Sequence, residues 1–249
     1  MTATPHGRVA AMEERAFVAQ RDGRSIPGVL WLPAGTGAAL PLMLISHGGS
    51  GHKKSQIIQE LSAAMVARGF AAAAIDGPMH GERRAHIEEG PAVQGEFLSR
   101  WKSGPDNGGM TDLMVADWQA ALDHLVTLPE IDGARIGWNG LSMGTAFGVP
   151  FLAAEPRVKA AVLGLWGLCY PMSERLATDA ARIACPVLFQ MKWDDELFTR
   201  QGQFDLFDKL GMADKRLTAY MGKHAGRAPE QRREAEVFLA ERLAPTLPH

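Results

Sequence analysis

A mostly parallel central sheet of about eight strands, with helices on both faces, is the α/β architecture that three features of the chain predict. Strand-like and helix-like segments alternate over the whole length. Several apolar runs of strand length show no inside–outside alternation, which marks strands buried on both faces of a parallel sheet. Near the start, two strand-like segments flank Arg21-Asp22-Gly23-Arg24, a tight-turn sequence that signals a hairpin.

Residues 16–20 and 26–32 form the predicted N-terminal hairpin, and a loop rich in Gly, Ala and Pro follows over 33–40. The run 41–46 is a buried strand that ends in His47-Gly48-Gly49-Ser50-Gly51. Residues 53–68 have helical spacing of Ile57, Ile58, Leu61, Met65 and Val66, with Gly69 as a stop. A strand over 70–75 is closed by Asp76-Gly77-Pro78, and 79–110 reads as an irregular, glycine-rich insert. A long helix is expected over 111–128, a turn over 129–134 and a strand over 135–139. Beyond it come a helix over 145–154, strands over 158–166, 186–191 and 216–221, and helices over 173–182, 203–210 and 229–243. No repeat, low-complexity tract or linker divides the chain, so residues 1–249 read as one domain.

Composition excludes several classes of function. A chain of 249 residues can bury roughly three quarters of its unfolded surface, enough for a large α/β core. The formal net charge of −2, without a basic excess or a charge block, gives no footprint for nucleic acid. No stretch approaches the roughly 18 unbroken apolar residues of a membrane span. Residues 1–14 carry acids and no apolar core of signal-peptide length, so the expected compartment is the cytoplasm. Two cysteines, Cys169 and Cys185, make no disulfide framework and have no metal-ligand spacing. No cofactor or metal is expected.

The chain is organised around Gly140-Leu141-Ser142-Met143-Gly144, set between a predicted strand and a predicted helix. A serine on a strained strand-to-helix turn leaves no room for side chains two residues to either side, and glycine removes them. The hydroxyl is then free to meet a base, and without a base it is a poor nucleophile. Of the eight histidines, His6 and His249 lie at the ends, His124 in a predicted helix, His80 and His86 in the insert, and His47 and His52 beside the first glycine turn. Only His224 follows a strand downstream of Ser142, in a turn framed by Gly222 and Gly226. An orienting carboxylate belongs at a strand end between them, and Asp194, Asp195 and Glu196 all stand there.

With these residues in hand, the chain resembles the α/β-hydrolase family, in its dienelactone-hydrolase-like and carboxylesterase branch. The resemblance covers nearly everything from residue 41 to 243 and rests on the His47-Gly48-Gly49 turn, the Ser142 pentapeptide and the order Ser…Asp…His. It implies an α/β-hydrolase fold with a small insert in place of a large cap. It implies Asp195 as the acid, with Asp194 as the alternative, because Lys192 and Thr199 stand where the family's acid motif has glycine and proline. It implies an oxyanion hole formed by the N–H groups of Gly49 and Met143, with His47 bracing the turn.

The activity so implied is cleavage of carboxylic esters of small or medium size through an acyl-enzyme. A thioesterase, lactonase, peptidase or acyltransferase would use the same triad, and a non-catalytic ligand receptor is the reading from another class. Ser50, Trp101, Trp166 and Tyr170 are the expected substrate-pocket residues. Asp76 reads as a loop anchor, Arg83 and Arg84 as a solvated loop with the capacity to bind a carboxylate, and His80 with Glu82 as too few ligands for a metal. The expected partner is a small-molecule ester, and the expected assembly a monomer or homodimer.

Overall fold

The Asp22-Gly23 turn takes positive φ at both central residues (48° and 74°), the geometry whose twist matches two antiparallel strands. It joins β1 (Met12–Arg21) to β2 (Arg24–Pro33), paired from Met12↔Pro33 to Arg21↔Arg24. The computed structural model of the protein describes residues 11–104, 107, 109–226 and 228–244. His6 and His249 lie outside them. Six further strands complete the sheet: β3 (Leu40–Ser46), β4 (Ala71–Ile75), β5 (Ile131–Gly140), β6 (Val158–Gly164), β7 (Val187–Lys192) and β8 (Lys215–Tyr220). Their spatial order is β1-β2-β4-β3-β5-β6-β7-β8. The pairs of β2 with β1 and with β4 are antiparallel, and every pair from β4 to β8 is parallel.

The unalternating apolar runs feed two cores, one on each face of the sheet. Along β3, Leu42 and Leu44 enter one core while Met43 and Ile45 enter the other; in β4, Ala71, Ala73 and Ile75 part from Ala72 and Ala74 in the same way. That split is the two-residue period of a strand with no solvent face. Helices α1 (Gln56–Val66) and α7 (Pro229–Leu243) cover the second face with Ile58, Met65, Ala235, Phe238 and Leu239. The first face is covered by α2 (Pro91–Trp101), α3 (Met110–Leu125), α4 (Met143–Ala154), α5 (Glu174–Ala180) and α6 (Arg200–Lys209). Its core is aromatic: Trp118 packs edge-on against Trp138 at 5.0 Å and tilts onto Phe151 at 6.2 Å, all three buried.

The insert is more ordered than expected. It holds a short 3₁₀ turn, Gly81–Arg83, and helix α2. Pro91 at the first helical position and Val93, Phe97 and Trp101 on the buried face are helix signals, which Gly90 and Gly95 obscure in the sequence. Asp117, buried on α3, receives Arg83 of the insert at 2.7 Å and Arg24 of the hairpin at 2.8 Å. Strand β5 starts at Ile131, earlier than expected, because Leu40↔Ile131 pairing precedes a register shift after Pro41. Strand β6 ends at Gly164, before the expected limit, where φ of 142° at Gly164 and 52° at Leu165 breaks the ladder.

Removing the indole at the centre of the aromatic core leaves a cavity that neighbouring rings refill only in part. Trp118→Ala should cost about 3–5 kcal/mol, read as a lower urea midpoint at unchanged slope.

Candidate active site

The turn after β5 carries the most constrained residue of the site. Ser142 has φ 58° and ψ −119°, outside the regions open to ordinary L-residues. A Cβ at Gly140 would lie 2.7 Å from the Gly144 carbonyl oxygen, and one at Gly144 would lie 3.0 Å from that of Ser46. These are the close approaches for which the two glycines make room. The strained residue is tied to β6, where the Ser142 N–H donates to Gly164 O at 2.9 Å. Thr145, one turn into α4, accepts the Gly164 N–H at 2.7 Å and turns its hydroxyl toward the carbonyls of Gly164 (2.6 Å) and Gly140 (2.9 Å). Sequence reasoning missed Thr145; its signal is a hydroxyl in the first helical turn, facing the strand ends.

The structure brings Ser142, His224 and Asp195 together. Ser142 Oγ lies 3.0 Å from His224 Nε2, and His224 Nδ1 lies 2.9 Å from Asp195 Oδ2. A carboxylate only accepts, so Nδ1 is the donor, and Nε2 is left with a lone pair for the serine hydroxyl. Asp195 is fixed in turn: its Oδ1 accepts the N–H groups of Leu197 at 2.9 Å and Phe198 at 3.0 Å, and its side chain is fully buried. The Phe198 ring tilts against the imidazole at 5.5 Å. Asp194, the alternative acid, instead reaches the Gly222 N–H at 3.3 Å. Glu196 accepts the His224 main-chain N–H at 3.0 Å, a role the run of three acids did not reveal.

The turn after β3 follows Ser46, whose carbonyl lies against Gly144 at the start of α4. His47, buried, accepts the Gly77 N–H on Nε2 at 2.8 Å, so its proton is on Nδ1, which donates to Gly48 O at 2.8 Å. Burial and the neighbouring His80 pull its pKa down to about 3, which keeps the ring neutral. In a trans peptide the carbonyl and the next N–H point in opposite directions. A bond that holds Gly48 O inward therefore aims the Gly49 N–H outward. Neither the Gly49 nor the Met143 N–H meets an acceptor among the described residues. A Cβ at Gly49 would come within 3.1 Å of the Phe97 ring.

His80 lies against the same turn, with Nε2 2.9 Å from Gly49 O and Nδ1 2.6 Å from Pro78 O, and burial lowers its pKa. Behind it, buried Asp76 accepts from Lys53 N at 2.9 Å, Lys53 Nζ at 2.6 Å and Glu82 N at 3.0 Å. Burial opposes ionisation of Asp76, but those bonds outweigh it and hold the carboxyl below the usual carboxylate range.

The expected pocket residues divide. Trp101 and Trp166 are a correction: both belong to the aromatic core of the first face, 1% and 0% exposed. Their rings meet edge-on at 4.9 Å, and their indole N–H groups are used internally, on Pro171 O and Ser173 Oγ. Tyr170 is half-buried, edge-on to Trp166 and 5.3 Å from Phe198, so it continues the aromatic wall behind His224 toward solvent. Ser50 is exposed beside Gly49, and its carbonyl accepts the Gly90 N–H. Arg84 is engaged by Glu88 and Glu96, and Glu82 by Lys53. A depression of about 260 Å³ bounded by Trp101, Thr111, Met172 and Arg175 involves none of Ser142, Asp195 and His224.

A family model described as the dienelactone hydrolase family matches residues 26–240. The chain belongs to the dienelactone hydrolase family. Among solved structures, the family fold recurs in a PEG-bound cold-adapted esterase from an Arctic intertidal metagenomic library. That protein is 37% identical, with a TM-score of 0.81, over 98% of this chain and 100% of the other. An acetyl xylan esterase from Paenibacillus sp. R4 superposes with a TM-score of 0.75 over 96% of this chain and 87% of that one; at 20% identity it speaks for the fold alone. An uncharacterized protein of Pseudomonas aeruginosa is 30% identical over 155 residues, 61% of this chain and only 37% of that protein's length. The eight-stranded, mostly parallel sheet is thus an α/β-hydrolase fold.

Two substitutions test how the site is supported. Thr145→Val keeps the shape but leaves the Gly164 N–H buried without its acceptor, which should cost about 1–3 kcal/mol in chemical denaturation. Asp76 has a depressed folded pKa, so its contribution to stability is complete above the unfolded carboxylate value of about 3.9 and is lost as pH falls through the folded one. Asp76→Asn should therefore lower stability at neutral pH by about 3 kcal/mol and flatten the acid side of the stability–pH curve. Denaturation midpoints between neutral pH and the acid limb check both.

Proposed function

We propose that the protein is a serine hydrolase, a single domain over residues 1–249 that cleaves carboxylic esters of small or medium substrates through an acyl-enzyme. One observation carries the reading. Ser142 Oγ, His224 and Asp195 form a continuous relay of 3.0 Å and 2.9 Å contacts, at the end of a backbone turn that only a specialised residue occupies. Membership of the family and the 37% identical esterase support it.

In this reading Ser142 Oγ attacks the ester carbonyl while its proton passes to His224 Nε2. The imidazolium that forms is stabilised by the buried Asp195 carboxylate. Charge collects on the carbonyl oxygen, where the N–H groups of Gly49 and Met143 receive it. Collapse of the tetrahedral intermediate expels the alcohol, which takes the proton from Nε2. Water then enters, gives its proton to Nε2 and attacks the acyl-serine; the acid leaves as Ser142 recovers its proton. A lactone is a cyclic ester and follows the same steps, with acid and alcohol joined in one product. The relay and the two N–H groups supply the proton transfer and the charge stabilisation, so the mechanism calls for no cofactor.

Ser50, exposed beside Gly49, and Tyr170, against Phe198, are the proposed contacts to substrate. Among the described residues no helix is long and apolar enough to cross a membrane. The proposal is a cytoplasmic monomer or homodimer acting on a free small molecule.

Ser142→Ala should lower kcat/KM for a short-chain p-nitrophenyl ester by at least about 10³-fold with the thermal midpoint retained. Full turnover by that variant would overturn the reading.

A further inference from the structure

The histidine reaches Ser142 from the loop between β8 and α7, at the first central position of a turn closed by the Gly226 N–H on Lys223 O at 2.8 Å. That turn bond shapes the loop locally, and what ties the loop to the sheet is a continuation of the β7–β8 ladder past the ends of both strands. Trp193 N–H donates to Tyr220 O at 2.8 Å, Asp194 N–H to Gly222 O at 3.1 Å, and Gly222 N–H back to Asp194 Oδ2 at 3.3 Å. These bonds stop two residues short of His224.

His224 itself is then held at two points. Asp195 holds the ring at Nδ1, and Glu196 Oε2 accepts the main-chain N–H at 3.0 Å. The two bonds restrict different freedoms. A bond at Nδ1 sets the tautomer and the ring plane, but side-chain torsions can preserve it while the main chain drifts and Nε2 leaves the serine. A bond at the main-chain N–H fixes the point from which the ring hangs. Glu196 is suited to fixing that point. The His224 N–H is the foremost of the influences that hold its carboxyl below the usual range, so the acceptor is an anion and the bond charge-assisted. Its side chain is directed at the backbone rather than at Ser142 Oγ.

We propose that Glu196 is a positioning residue for His224, its carboxylate pinning the main chain of the histidine so that Nε2 stays within reach of Ser142 Oγ. The proposal rests on the reading of Ser142 and His224 as nucleophile and base. The consecutive acids then act separately. Asp194 ties the loop at Gly222, Asp195 orients the imidazole, and Glu196 fixes the main chain that carries it.

The test compares wild type, Glu196→Ala and Glu196→Gln by kcat and KM on a short-chain p-nitrophenyl ester. Fluorophosphonate labelling of Ser142 is followed by mass spectrometry in each protein. Glu196 is exposed, and thermal melts confirm that both variants are folded. The Ala variant should lose about 10-fold in kcat with KM unchanged, because misplacing a reacting group by a fraction of an ångström slows chemistry without touching substrate binding. The Gln variant should regain most of kcat, since its carboxamide oxygen accepts the same N–H. Labelling rates should follow kcat. Wild-type kcat in the Ala variant, a Gln variant as slow as Ala, or a loss confined to KM would each overturn the proposal. Wild-type protein that turns over the ester yet takes no label on Ser142 would overturn the serine-hydrolase reading, and this proposal with it.

Discussion

A backbone held at φ 58° and ψ −119° is costly for any residue with a side chain, and the rest of the site depends on its being held there at Ser142. The strain persists because neighbours leave it no alternative. Gly140 and Gly144 allow strand and helix to approach within a distance that a Cβ would violate. Gly164 goes further: a Cβ there would sit 1.8 Å from Gln190 O, so β6 can supply its carbonyl to the Ser142 N–H only because that position is glycine. Thr145 fastens the same junction from the helix side. The parallel sheet provides the frame in which these constraints meet, because its strands end together along one edge and each loop of the site leaves from that edge.

Two supports converge on this turn, and they differ in kind. On the side of the glycine turn the supports are buried: His47 holds Gly48 O, His80 holds Gly49 O, and Asp76 holds the main chain just beyond, at Lys53 N. The histidine side is a loop tied by backbone bonds and carboxylates at the surface. Such an arrangement gives fixed dipoles where charge would develop and limited freedom where a proton would have to travel.

The sheet and its order of elements were legible because burial on both faces leaves a plain mark, the apolar run without alternation. Meeting points were legible where chemistry demands a residue type: a glycine two places to either side of Ser142, and a histidine after the last strand. Asp195 could be separated from Asp194 only through a family resemblance, since three adjacent acids carry no sign of which one faces a ring. Helix α2 was hidden by Gly90 and Gly95, which weaken helical periodicity in composition although Pro91 and the Val93, Phe97, Trp101 face carry it in space. Trp101 and Trp166 misled for a general reason. A large aromatic near an active edge has the same sequence signature whether it lines a pocket or fills the layer beneath one, and only their internal N–H partners reveal the second. Thr145 and Glu196 act through backbone groups distant in sequence, a kind of contact that residue patterns do not encode.

The central claim is that Ser142 becomes covalently acylated during turnover. Its most direct test is mass spectrometry of the protein acid-quenched in the midst of hydrolysing a p-nitrophenyl ester. The account predicts that the peptide containing Ser142 gains the mass of the acyl group, and that the gain disappears once substrate is exhausted. Full hydrolysis with an unmodified Ser142 peptide and the acyl group on another residue would contradict it.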